Sequence, residues 1–128
     1  MITTIIEKKL NKVESLTYLR EEIIPAIEYY IEGTDFKVFP DVYNHYNSGN
    51  KEHESSTYYI EIYLRNYNFT TELYIKYFPE EIKDNKVELK IGKSPNDCNK
   101  IEEINYNPGS MIRLIHNLLF KEGENELL

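Results

Sequence analysis

The stretch TYYIEIYLRNYNFTTELYIKYF, residues 57–78, decides most of what this chain can fold into. Side chains alternate across a β-strand with a period of two, so each residue's parity gives its face. In the first half Tyr58, Ile60, Ile62 and Leu64 share one face, and Tyr59, Glu61, Tyr63 and Arg65 the other. In the second half Leu73, Ile75 and Tyr77 oppose Glu72, Tyr74 and Lys76. KVELKIG, from Lys86 to Gly92, repeats the pattern, with Val87, Leu89 and Ile91 against Lys86, Glu88 and Lys90. Three strands thus each have one wholly apolar face and one mixed face. Short turns between them predict an antiparallel meander.

The apolar face needs a cover, and both ends of the chain supply one. Thr4 and Glu7 fit a capping box ahead of Ile6, Leu10 and Val13 at helical spacing. Leu16, Leu19, Ile23, Ile27 and Ile31 continue the stripe to Gly33, a natural helix stop. An unbroken helix from Thr4 to Glu32 would run about 43 Å. Pro25 is expected to kink or break it, and a break near Ser15 is an equal option. At the other end Asn107 and Pro108 predict an N-cap and first turn for a helix over 108–122, followed by a frayed tail over 123–128. Met111, Ile112, Ile115, Leu118 and Leu119 are its apolar set. Phe36 and Val38 suggest a short strand ended by Pro40, and IEEINY a weaker last strand. DVYNHYNSGNKEHESS reads as a long polar loop.

The prediction is therefore one α+β domain over residues 1–128, with 1–33 helical and 36–106 forming the sheet. It is a two-layer sandwich in which the N- and C-terminal helices cover one face of a four- to five-stranded antiparallel meander. The second face is expected to be wet.

Composition narrows the function classes. The formal net charge is −7 with a pI near 5.0, which opposes direct binding to nucleic acid or anionic lipid. An acidic molecule suits a basic partner instead, including the nucleic-acid groove of another protein. A lone cysteine, Cys98, excludes an intramolecular disulfide and suggests a reducing compartment. No apolar run reaches the roughly 20 residues of a membrane span, and the N-terminal charges follow the apolar residues, so a cytosolic protein is expected. Ile, Asn, Lys and Tyr together make up 53 of 128 residues, which points to an AT-rich genome such as that of a low-GC bacterium, its phage or its plasmid.

No stretch carries a catalytic signature. The five glycines are scattered and cradle no phosphate. His45 and His53, with Asp41, Glu52 and Glu54, are ligand types without a metal-site spacing, and Cys98 has no adjacent base. No metal or cofactor is implied. Two surfaces remain as candidates. One is the mixed sheet face, where Tyr59, Tyr63 and Tyr74 stand among Arg65 and Lys76. Tyrosine offers large contact area at low entropic cost. The other is an acidic ridge of Glu14, Glu21 and Glu28, spaced every seven residues on the N-terminal helix and able to imitate a nucleic-acid backbone. The expected function is a non-enzymatic, protein-binding inhibitor, immunity or anti-defence factor. The alternatives are a self-associating assembly module, a secretion-type chaperone, and a small hydrolase or nuclease using the 41–54 loop.

Overall fold

A computed structural model describes residues 12–45 and 57–120. The proposed capping box, Glu7, His53 and the tail lie outside the described residues. Helix α1 spans Lys12–Tyr18 and α2 Ile24–Ile31, joined by a π-helical turn over Leu19–Ile23. Five strands follow: β1 Lys37–His45, β2 Thr57–Arg65, β3 Thr71–Tyr77, β4 Lys86–Gly92 and β5 Lys100–Asn105. Helix α3, Pro108–Ile115, closes the order and runs into a second π-helical turn, His116–Phe120. The strands pair antiparallel in the order β1-β2-β3-β4-β5. The result is the expected α+β sandwich, a five-stranded meander with the N- and C-terminal helices on one face. No described helix is long and apolar enough to cross a membrane.

The core fills the space between helices and sheet. Ile60, Ile62 and Leu64 of β2, Ile75 and Tyr77 of β3, and Leu89 of β4 are fully buried, as their parity predicts. The Tyr77 hydroxyl sits 2.6 Å from that of Tyr106, so each satisfies the other's polar atom inside the core. Asn107 caps α3, its side chain accepting from the Ser110 amide at 2.7 Å, with Pro108 in the first turn.

The N-terminal helix neither stops at Ser15 nor breaks at Pro25, and the π-turn explains why. Ser15, Leu19, Ile23, Ile27 and Ile31 recur every four residues, and all are buried. An α-helix turns about 100° per residue, so a strict four-residue repeat drifts by about 40° at each step. Over four steps the stripe would leave the core. The π-turn takes up roughly one extra residue and winds the stripe back by about 100°. The Ile24 amide donates to the Leu19 carbonyl, and Pro25 then sits in the first turn of α2, where its missing N–H costs little. Glu14, Glu21 and Glu28, the proposed acidic ridge, are all exposed.

Strand β1 corrects the expected loop. It does not end at Pro40 but runs on to His45, pairing Pro40 with Ile62 and Asp41 with Glu61. As the edge strand, β1 tolerates a residue that cannot donate to the ladder. Val38 and Val42 point to the core, so the period of two persists through the proline.

The turns show what backbone each connection needs. Gly33 ends α2 at φ 85°, and Asp84 and Asn85, at φ 54° and 60°, close a two-residue turn between Lys83 and Lys86. These are residue types that accept the left-handed region. Phe69, in the β2–β3 turn at φ 63°, is not.

Candidate functional site: the sheet face opposite the helices

The mixed face runs across the strands and gathers the expected residues into two interleaved clusters. In the first, the Arg65 guanidinium lies 4.7 Å from the Tyr63 ring and 5.2 Å from that of Phe39. Tyr63 meets Tyr74 edge-on, centroids 5.1 Å apart. In the second, Lys76 stands 4.4 Å from the Tyr59 ring and 5.4 Å from Phe78, with Lys90 5.8 Å from Phe78. Tyr59 and Phe78 form an edge contact at 5.9 Å. A cation over an aromatic face is held by the ring quadrupole, about 0.5–1 kcal/mol where water has access. Arg65 is thus held by two rings and by its Nε–H, which donates to the Thr71 hydroxyl at 3.1 Å, and Lys76 by the rings of Tyr59 and Phe78.

The face is not uniformly wet, contrary to the sequence expectation. Tyr74 is 0% exposed and Glu61 only 6%, though parity puts both on this side. The β4–β5 turn lies over Tyr74, close enough for Cys98 to act on its hydroxyl. Gly92 pairs with Tyr74, and a Cβ on Gly92 would lie 1.7 Å from the Asp97 carbonyl oxygen. The turn therefore folds back over this corner of the sheet, a path only glycine allows. Beneath it the Tyr74 hydroxyl donates to the Glu61 carboxylate at 2.5 Å. Tyr74 consequently braces the face and is not a contact residue, whereas Tyr59, Tyr63, Arg65 and Lys76 remain half-exposed.

Burial, and then the hydrogen bond and charge of Glu61, push the Tyr74 hydroxyl well above its ordinary value near 10. Burial followed by the charge and hydrogen bonding of Glu61, with Asp41 adding and Arg65 opposing, pushes Tyr63 up to about 12. Both groups are thus neutral in the fold where the unfolded chain would ionise. Their stabilisation is complete below pH about 10 and is lost as pH climbs through the raised values. Urea melts at increasing pH should show stability falling from about pH 10 upward, by at most about 1.4 kcal/mol per pH unit for each ring held neutral, less for the half-exposed Tyr63. The double variant Tyr63→Phe, Tyr74→Phe should have the shallower slope.

Sequence reasoning missed Phe39 and Phe78. Phe39 pairs with Tyr63 one residue before the proline at which the sequence pattern ends the strand, and Phe78 follows the last residue of β3. Their parity was the available signal. Asp41 is exposed on β1 and accepts from the Val42 amide, while the His45 side chain and His53 lie outside the described residues. Cys98 donates to the Pro95 carbonyl at 3.4 Å. His116 shares a 2.6 Å hydrogen bond with the Tyr30 hydroxyl and ties α2 to the C-terminal helical segment. Among the described residues, no three His, Cys, Asp or Glu side chains group as a metal site. Compared with protein-family models, curated proteins and solved structures, the chain matches none.

Proposed function

We propose that the protein is a non-enzymatic, stoichiometric binder of another protein, acting in the cytosol as an inhibitor, immunity or anti-defence factor of the kind mobile elements carry. It works by occupying its partner's surface, and the exposed Glu14, Glu21 and Glu28 of the N-terminal helix suit a basic one such as a nucleic-acid groove. One observation carries the reading. The helices cover a single face of the sheet, and the other presents Tyr59, Tyr63 and Phe78 interleaved with Arg65, Lys76 and Lys90 on a chain of net charge −7. Half-buried rings clamped by cations form a rigid, amphipathic surface, and aromatic and arginine side chains dominate binding energy at protein interfaces.

The test is a binary titration of the purified protein captured by this chain from its native host. Tyr59→Ala with Tyr63→Ala should weaken the 1:1 complex by about tenfold or more. Affinity equal to wild type would remove this face from the interface.

A second reading, a self-associating assembly module, is favoured by β5. It is an edge strand without proline, and Ile101 is 58% exposed on it. Light scattering separates the two: a stable homo-oligomer supports the module, a monomer the inhibitor.

A further inference from the structure

The connection between β2 and β3, Asn66–Thr70, presents two rings that the fold does not use. Tyr67 is 70% exposed and Phe69 75%. Phe69 also holds a left-handed backbone at φ 63°, a region bulky residues rarely take. The molecule meets that demand elsewhere with Gly33, Asp84 and Asn85. Neither burial nor backbone preference accounts for a phenyl ring at residue 69.

The turn is nevertheless tightly built. Asn66 Oδ1 accepts from the amides of Asn68 at 2.9 Å and Thr70 at 3.1 Å, while its Nδ2 donates to Glu72 at 3.1 Å. The backbone closes twice more, Asn66 N–H to the Thr70 carbonyl at 3.0 Å and Phe69 N–H to the Asn66 carbonyl at 2.9 Å. Two aromatic side chains, each with few rotors, are thus presented on a fixed frame. That is the arrangement in which binding loses least to ordering.

Resting on the protein-binding reading, we infer that this turn is the anchor by which the chain seats in its partner. Tyr67 and Phe69 enter an apolar pocket on a protein whose surrounding surface is basic. The five turn residues carry no charge, so their receptor is apolar. Lys37 pairs with Arg65, so the α2–β1 connection, with exposed Glu32 and Asp35, leaves the sheet at the same end as the turn. Those carboxylates balance Lys37 and Arg65 at this end, so it is the net charge of −7 of the whole chain that selects positive potential around the pocket. The same charge opposes an anionic bilayer and a second copy of the chain.

The experiment uses the full chain as wild type, Phe69→Asn, Tyr67→Ser and, as control, Tyr29→Ser, whose ring is 80% exposed on α2. The captured protein is purified and titrated by calorimetry at low and moderate salt. Phe69→Asn keeps a residue that accepts the left-handed region, so its Tm should hold or rise. It and Tyr67→Ser should each weaken the complex by about tenfold or more. Tyr29→Ser should leave affinity unchanged, and salt should weaken all the complexes. Unchanged affinity in both turn variants overturns the anchor, and if Tyr59→Ala with Tyr63→Ala still weakens the complex, the protein-binding reading survives it. No binary complex with any captured protein overturns both. Ring-dependent binding to phosphatidylcholine vesicles, with or without phosphatidylserine, or ring-dependent dimerisation, overturns the partner class.

Discussion

Replacing Tyr74 with alanine is expected to lower the unfolding free energy by about 3–5 kcal/mol. That is the cost of emptying a core site, yet Tyr74 belongs to the face away from the helices. Its ring is fully buried, meets Tyr63 edge-on at 5.1 Å, and reaches Glu61 through its hydroxyl. Removing it forfeits the burial and leaves the Glu61 carboxylate, itself buried, short of a donor. Tyr74→Phe isolates the second part and should cost about 1–3 kcal/mol, the worth of a hydrogen bond to a buried charged group that then keeps only Tyr63. Glu61→Gln should cost less, because an amide can still accept from Tyr74. Urea unfolding followed by circular dichroism measures all three. A loss below about 1 kcal/mol for Tyr74→Ala would mean that the ring behaves as a surface residue, and the account of the covered corner would fall.

Much of the architecture could be read from residues 57–92 because Tyr58–Leu64, Leu73–Tyr77 and Val87–Ile91 are apolar at every second position. Asn107 and Pro108 marked the start of α3 equally clearly, since caps are local chemistry. Parity also placed Tyr59, Tyr63, Arg65, Tyr74 and Lys76 on a single face. What parity cannot give is what lies over a face. The covering turn comes from residues well removed from Tyr74 in sequence, and its signal, Gly92 at a strand end, looks like an ordinary stop. Pro40 hides the full length of β1 in the sequence because proline in a strand is a breaker only where both edges are paired, and edge position is a tertiary property. The π-turn left a trace in the four-residue repeat from Ser15 to Ile31, a spacing that an α-helix cannot keep on a single face. Phe69 left none: turn chemistry asks for Gly or Asn there, and a ring is visible as an exception only once its φ is known.

Gly92→Ala is expected to cost about 3 kcal/mol, at the upper end of overpacking penalties, because no flexible atom is available to yield. The new methyl would meet the Asp97 carbonyl oxygen at 1.7 Å, the Asp97 carbonyl carbon at 2.6 Å and the Cys98 Cα at 2.6 Å. All three are backbone atoms. The turn holding them is closed from both sides, by the Lys93 amide on the Asp97 carbonyl and the Asp97 amide on the Ser94 carbonyl, each at 3.0 Å. Relief therefore requires the turn to lift as a unit, and lifting it opens Tyr74 to water. Two results should follow together. The Tyr74 hydroxyl, raised chiefly by burial, should ionise at lower pH in Gly92→Ala than in wild type, read as tyrosinate absorbance against a Tyr74→Phe background. The losses from Gly92→Ala and Tyr74→Ala should also fail to add, with the double variant retaining about 1 kcal/mol or more above their sum, since a ring already uncovered has less to lose. Additive losses with an unchanged Tyr74 titration would show that the ring is buried by something other than this turn.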